Sequence, residues 1–188
     1  PGETEIVQSA CDSNTSQEFK GRYYSFRYPC QYALRINSSD DRTVYLGSPD
    51  YLAIYFEKNN RLTDSPKGYI ITVSYSEFKS LGNTWGKDIQ EQWLNWMGRG
   101  IGSIGKQEFS GITTFENGKS VFKVVTRGYG FMDEFKEKQV NIRIGIHNDD
   151  YTKSVEIEML TSEKEFDQNL AFSRIENEYK RLIDAKLK

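Results

Sequence analysis

Few residues in this sequence are of a type that performs acid–base or nucleophilic chemistry near neutral pH. His147 is the only histidine among 188 residues, and Cys11 and Cys30 are the only cysteines. A structural zinc site takes four such ligands, so no metal site is expected. His147 ends an alternating strand pattern beside a polar turn, a position typical of an exposed strand-end residue rather than a general base.

The two cysteines favour a structural disulfide over a nucleophile. A Cys11–Cys30 bridge would close a loop of about 20 residues and stabilise the fold by about 3 kcal/mol on the chain-entropy model. Spacing alone leaves two unrelated thiols as the alternative. The even count, with Cys11 in a polar N-terminal segment, favours the bridge, and oxidation would imply export.

Paired carboxylates are a second candidate for chemistry. Glu156 and Glu158 are alternate residues of a predicted strand, so they share one face about 7 Å apart. A glycosidase could use such a separation, but one carboxyl group would have to be desolvated to hold a proton. Neighbouring glutamates on a solvated strand face are the common case, and we expect no catalysis from them.

Two further segments match the composition of binding motifs but lack their spacing or context. Residues 148–150, Asn-Asp-Asp, lack the alternating ligands of a calcium loop, and these residue types favour turns for local hydrogen-bonding reasons. Residues 100–105 spell G-x-G-x-x-G, yet they follow a predicted helix and precede a strand, the reverse of the dinucleotide-binding order. Ser103 lies outside a G-x-S-x-G elbow because Ile101 occupies the first glycine position. We therefore expect no catalytic residue, no cofactor and no enzymatic activity.

Charge and composition exclude several classes of partner. Lys and Arg total 25 against 27 Asp and Glu, a formal net charge of −2. This balance removes the electrostatic basis for binding nucleic acid or an acidic membrane surface. The longest apolar run, 51–56, is far shorter than the roughly 20 residues of a membrane-spanning helix. The 12 tyrosines are the one compositional indication of a recognition surface.

Hydrophobic periodicity predicts a strand-rich chain with two helices. Alternating apolar segments indicate strands at 24–28, 32–36, 43–46, 51–57, 69–76, 109–115, 120–126, 140–146 and 155–159. The first helix, about 84–97, has an apolar stripe of Trp85, Ile89, Trp93, Trp96 and Met97. That spacing is typical of core tryptophans rather than of a carbohydrate-binding surface.

The second predicted helix is long and ends the chain. Ser162 and Glu165 form a capping box, and apolar residues recur at helical spacing from Phe166 to Ile183, which predicts a helix over about 163–186. The order of elements favours an α+β domain in which both helices pack on an antiparallel sheet. Residues 1–18 are expected to be an acidic, flexible leader, and residues 19–188 a single domain.

The order of elements resembles the PsbP-like group, which includes the oxygen-evolving-complex extrinsic subunit, bacterial exported lipoproteins and a Ran-binding nuclear import factor. Residues 24–29, Tyr-Ser-Phe-Arg-Tyr-Pro, resemble the opening strand of that group. The strand at 69–76 with the helix after it, the Asn117-Gly118 hairpin and the terminal helix complete the resemblance. Where the group often has a tryptophan shortly after the tyrosine-proline pair, this chain has Tyr32. The resemblance implies an α/β/α sandwich.

The resulting prediction is a non-catalytic, exported domain that binds a protein or cell-envelope component through a tyrosine-rich face or loop. Its expected location is extracytoplasmic: secreted, periplasmic, or held at a membrane by an upstream lipid anchor. One alternative is a small-ligand binder or hydrolase with a pocket between sheet and helices. The other is an intracellular adaptor that binds a small GTPase and has free thiols.

Overall fold

The computed structural model describes residues 15–36, 41–49, 52, 68–98, 106–114, 120–128, 138–168 and 186–187. The strands are β1 (Ser16–Lys20), β2 (Tyr24–Pro29), β3 (Ala33–Ile36), β4 (Thr43–Gly47), β5 (Tyr69–Glu77), β6 (Lys106–Thr114), β7 (Ser120–Gly128), β8 (Gln139–His147), β9 (Lys153–Ser162) and β10 (Lys186–Leu187). The helices are α1 (Ile89–Met97) and α2 (Glu163–Gln168). Within these residues no helix is long and apolar enough to cross a membrane.

Two antiparallel sheets make up the fold. The larger has seven strands in the order β3-β4-β5-β9-β8-β7-β6, and the smaller has three in the order β1-β2-β10. The alternation seen in the sequence sets the faces of the large sheet. In β8 and β9, for example, Ile142 pairs with Met159 and Ile144 with Ile157, so both pairs point to the same side.

The main core lies between the two sheets. Phe19 of β1 and alternate aromatic residues of β2 pack against the apolar face of the seven-stranded sheet. Tyr24 is fully buried, and its hydroxyl donates hydrogen bonds to the backbone oxygens of Val73 (2.9 Å) and Arg42 (3.2 Å). The phenol therefore joins the small sheet to β5 and to the start of β4 without leaving a buried hydroxyl unsatisfied.

Helix α1 packs on the opposite face of the large sheet. Trp93 and Met97 are fully buried there, in a cluster that includes Phe122 and Val124 of β7. Gly145 of β8 lies directly beneath the helix, where a Cβ atom would approach the Met97 Cε to 2.5 Å. The absence of a side chain at Gly145 permits this close approach.

The first helix is shorter than the predicted span of 84–97. It begins after Asp88, whose Oδ1 accepts a hydrogen bond from the Glu91 N–H at 2.8 Å. The Glu91 carboxylate in turn accepts one from the Lys87 N–H at 2.7 Å. Because this capping pair satisfies the first turn, the helix starts five residues later than expected and Trp85 precedes it.

The long C-terminal helix is not shown. Helix α2 covers Glu163–Gln168, residues 169–185 lie outside the described part of the chain, and residues 186–187 form β10. Leu187 pairs with Tyr24 of β2 and packs against the main core. The α+β class with a mainly antiparallel sheet is confirmed at this level. Strand β1 begins at Ser16, inside the segment expected as a leader, and residues 1–14 are not described.

Candidate functional site

His147 is part of an aromatic cluster rather than an exposed strand end. Its ring stacks on Tyr151 with centroids 3.9 Å apart and meets the Trp93 ring edge-on at 4.8 Å. Its Nδ1 lies 2.7 Å from the Asn148 backbone oxygen. These contacts give His147 a packing role, holding the β8–β9 turn against α1.

The two strand glutamates form ion pairs with an arginine that the sequence analysis did not single out. Arg143 of β8 lies 3.1 Å from the Glu156 carboxylate and 3.4 Å from that of Glu158. The side chains of Arg143 and Glu156 are only 12% and 14% exposed. One guanidinium thus contacts both carboxylates on the face covered by α1, so both glutamates are held in ion pairs.

The turn at 148–150 uses its polar side chains for its own structure. The Asn148 Oδ1 accepts a hydrogen bond from the Lys153 N–H at 2.9 Å, and the Asp150 Oδ1 accepts one from the Thr152 N–H at 3.0 Å. Tyr151 between them has φ +62°. No group of three or more potential metal ligands occurs in the described part of the chain.

Several sequence-predicted features fall on residues that the structure does not describe. Cys11 and the glycine-rich segment 100–105 are among them, and so is most of the strand predicted at 51–57. Cys30 follows β2 and is buried, with its Sγ 2.8 Å from the Thr15 hydroxyl. The disulfide between Cys11 and Cys30 stays a prediction.

A cavity of about 350 Å³ lies on the small sheet rather than between sheet and helices. Its lining comes from all three strands of that sheet: Glu18, Ser25, Phe26, Arg27 and Lys186. The described lining contains no histidine or cysteine.

Most described tyrosines are in the core, which explains much of their abundance. Five are buried: Tyr24, Tyr28, Tyr32, Tyr69 and Tyr75. Tyr23 is different because it is half-buried at the rim where the two sheets meet, and its ring stacks on Tyr75 with centroids 4.6 Å apart. Among the described tyrosines, Tyr23 is therefore a candidate for the recognition surface that the tyrosine content predicts, and that surface stays a prediction.

Two arginines complete a surface around Tyr23. The Arg42 guanidinium carbon lies 4.9 Å from the centroid of the Tyr23 ring, and that of Arg22 lies 5.9 Å from it. The Arg42 Nη2 also reaches the Tyr23 hydroxyl at 3.4 Å. The Asp41 carboxylate fixes the turn by accepting a hydrogen bond from the Arg22 N–H at 2.6 Å. We call Arg22, Tyr23, Arg42 and Tyr75 the Arg–Tyr surface.

Burial and charge both act on Tyr75 at the base of this surface. Burial raises the pKa of Tyr75, the Glu77 carboxylate raises it further, and the Arg42 guanidinium opposes them. The phenol is therefore neutral at physiological pH and serves as a ring on which Tyr23 stacks. This arrangement supplies planar cations and an aromatic face, which suit recognition of carboxylates and apolar groups on a protein.

The sequence analysis anticipated tyrosines but missed Arg22 and Arg42. Arg42 approaches the surface because its backbone oxygen accepts a hydrogen bond from the Tyr75 N–H at 2.7 Å. That contact joins residues 33 positions apart in the sequence, so the local hydrophobic pattern cannot predict it. The only local indication of this surface in the sequence was that Arg22 and Tyr23 are adjacent and directly precede β2.

Comparisons with known proteins identify a fold. No protein-family model and no curated protein matches the chain. Among solved structures, it is similar to the Ran-binding protein Mog1p of Saccharomyces cerevisiae, with a TM-score of 0.54 and 13% identity over 92% of this chain and 95% of that one. A point mutant of the protein Mog1 matches with a TM-score of 0.54 and 12% identity, over 92% and 96% of the two chains. At this identity the likeness shows a shared fold alone.

These matches correct the resemblance drawn from the order of elements. The identification with the oxygen-evolving-complex subunit and the exported lipoproteins is wrong, because the matching structures are Mog1 proteins, one of them named as Ran-binding. The expected extracytoplasmic location, secreted or lipoprotein-type, was drawn from the expected cysteine bridge and from that identification, and the Ran-binding neighbour contradicts it. An envelope component as partner and an upstream lipid anchor lose their support for the same reason.

Proposed function

We propose that this protein is a non-catalytic adaptor that binds a small GTPase of the Ran type. The observation that carries this proposal is the similarity to Mog1p, which covers nearly the full length of both chains. Fold alone does not determine function. The proposal therefore also depends on what the surface of this chain offers.

The described surface favours recognition over catalysis. The candidate acid–base groups, His147, Glu156 and Glu158, are engaged in stacking or ion pairs. The Arg–Tyr surface combines two of the residue types, arginine and tyrosine, that are enriched among the hot spots of protein interfaces. Its guanidinium groups match an acidic or aromatic patch on a partner protein.

Direct binding to Ran tests the proposal. Isothermal titration calorimetry with recombinant Ran, loaded with GDP and separately with GTP, should give a dissociation constant in the micromolar range or tighter for at least one form. The variant Arg22→Glu reverses an exposed charge on the Arg–Tyr surface and should weaken binding about tenfold, a typical loss at an interfacial hot spot.

Lys164→Glu is the matched control because Lys164 is exposed on α2, at the opposite end of the large sheet. It should leave the affinity within about twofold of the wild type. Absence of binding to either form of Ran at 100 µM would overturn the proposed function. Equal losses in both variants would show that net charge, and not the Arg–Tyr surface, governs binding.

A further inference from the structure

The segment between β5 and α1 displays two large apolar side chains. Leu81 is 38% exposed and Trp85 is 37% exposed, in a largely exposed segment that runs between the buried Phe78 and the buried Gln92. Phe78 is buried at the start of the segment, where its N–H donates to the Thr152 oxygen at 2.7 Å. We call residues 79–87 the β5–α1 loop.

Gln92 of α1 holds this loop in place from below. Its side chain is 4% exposed, and its Oε1 accepts hydrogen bonds from the Leu81 N–H at 2.8 Å and the Ser80 hydroxyl at 2.9 Å. Its Nε2 donates to the Gly86 oxygen at 3.1 Å. One buried amide thus joins both ends of the loop to the helix.

Further hydrogen bonds fix the part of the loop that carries Trp85. The Asn95 Nδ2 donates to the Trp85 oxygen at 2.6 Å, and the Trp85 N–H donates to the Gly82 oxygen at 3.0 Å. Gly82 has φ +85°, which glycine adopts without strain. The two exposed apolar residues are therefore held in a defined conformation before any partner arrives.

Such an arrangement matches a binding anchor. Exposing large apolar side chains to water is unfavourable, so covering them with a partner favours binding. A loop that is already ordered also avoids the conformational entropy that a flexible loop loses when it binds. Here the ordering contacts are present within the chain itself. Tryptophan is also the residue type most enriched among interfacial hot spots.

The charges around the loop favour a protein as the occupant. Exposed residues of both signs flank the apolar pair: Glu77, Lys79, Lys87, Asp88 and Glu91. Three acidic and two basic groups disfavour an anionic membrane or a nucleic acid, which attract clustered positive charge. An apolar centre with a mixed, polar rim is typical of protein–protein interfaces.

The loop lies at the same end of the large sheet as the Arg–Tyr surface, but on the face covered by α1. Tyr75 lies near the carboxyl end of β5, and the loop starts a few residues later. We propose that Leu81 and Trp85 are the apolar anchors of a docking surface for a folded protein, inserting into an apolar pocket of a partner that covers this end of the large sheet. This inference rests on the proposed function, because the partner it takes is the small GTPase.

The test is the affinity of Ran for the double variant Leu81→Ala/Trp85→Ala. Both side chains are exposed, so the variant should retain its fold, which circular dichroism checks. We expect at least a tenfold loss of affinity that persists at 0.5 M NaCl, because an apolar contact is not screened by salt. Ile112→Ala is the matched control, since Ile112 is an exposed apolar residue on β6.

The outcomes separate this inference from the proposed function. Ran that binds the wild type and the double variant equally would overturn the anchors and leave the adaptor proposal standing. Ran that fails to bind the wild type would overturn both. Equal losses of affinity in the double variant and in Ile112→Ala would also overturn the docking of a protein at this loop. So would a second result: sedimentation of the wild type with phosphatidylserine vesicles that the double variant abolishes.

Discussion

At the scale of single residues, the Asp150 carboxylate shows how a local turn shifts a titration. The Thr152 hydroxyl, and after it the Thr152 N–H, hold the pKa of Asp150 below its usual value of 3.8. Because folding lowers this pKa, the ionised Asp150 carboxylate stabilises the folded state at pH values above its unfolded-state pKa. That stabilisation is lost as the pH falls through the folded-state pKa. In Thr152→Val we expect the pKa of Asp150 to rise toward its usual value, as followed by an NMR titration of the carboxyl carbon. An unchanged pKa would show that the hydroxyl is not the main cause.

The buried side chains of two tyrosines predict that the folded state loses stability at alkaline pH. Burial raises the pKa of Tyr75 and also that of Tyr28. For such groups the stabilisation is complete below the unfolded-state pKa of about 10 and is lost as the pH rises through the folded-state value. Tyr75→Phe keeps the ring that Tyr23 stacks on. Its free energy of unfolding, from urea titrations, should fall less steeply than that of the wild type between about pH 9 and about pH 11.

Sequence could predict the turn residues but not the surroundings of His147 and Glu156. The bonds of the Asn-Asp-Asp turn are local, so composition alone indicates them. His147 contacts Trp93 from another element, and Glu156 reaches Arg143 diagonally across the paired strands β8 and β9. Both were therefore taken as solvated when they are partly buried.

At the scale of elements, the hydrogen bonds of Gln92 should protect the backbone of the β5–α1 loop from hydrogen exchange. Gln92→Leu keeps the approximate side-chain size but removes the acceptor of the Leu81 N–H and the donor to Gly86. Hydrogen exchange at the Leu81 amide should accelerate about tenfold or more, since a net hydrogen bond of about 1.5 kcal/mol is lost. Gln90→Leu, at an exposed helix position, is the matched control and should leave that exchange rate unchanged.

The contact between α1 and β8 predicts a cost for any side chain at position 145. In Gly145→Ala the new Cβ would lie 2.5 Å from the Met97 Cε and 3.0 Å from the Trp93 Cη2. Met97 can rotate its terminal methyl, but the indole ring is rigid, so we expect a loss of about 1–3 kcal/mol in the free energy of unfolding. Urea unfolding of this variant beside Ser74→Ala, on the same face of the sheet, provides the measurement. A change below 0.5 kcal/mol would mean that the helix moves freely on the sheet.

Whether a segment forms a helix or a strand was easier to predict from the sequence than the residues at which it begins and ends. The alternation in β8 and β9 predicts a half-buried hairpin because the period of a strand is local. The predicted start near residue 84 was too early, because the residue that caps α1 is Asp88, together with Glu91. The pairing of β10 with β2 joins residues about 160 positions apart, which periodicity does not report.

At the scale of the whole molecule, the fold class could be predicted, whereas the compartment could not. An antiparallel α+β fold follows from strand patterns and buried faces, which are physical consequences of the sequence. Location and partner depend on a few surface residues and on processes outside the fold. The exported location inferred from the cysteines and from the resemblance was wrong, and the surfaces that we propose for a partner, around Tyr23 and around Trp85, include contacts that sequence patterns do not show.

The covalent link between the two cysteines is the last prediction at this scale. Thr15 lies beside Cys30, since the Cys30 N–H donates to the Thr15 oxygen at 3.1 Å. Cys11 is four residues before Thr15, and four residues span up to about 14 Å, so its thiol can reach Cys30. In protein oxidised in air after purification and then alkylated, the intact mass should show no added alkyl group, and dithiothreitol should lower the melting temperature. The free thiols expected of an intracellular adaptor would form the bridge only under such oxidising conditions. The loop of about 20 residues predicts a loss of about 3 kcal/mol on reduction. Two added alkyl groups would instead mean that the N-terminal segment joins β2 through hydrogen bonds alone.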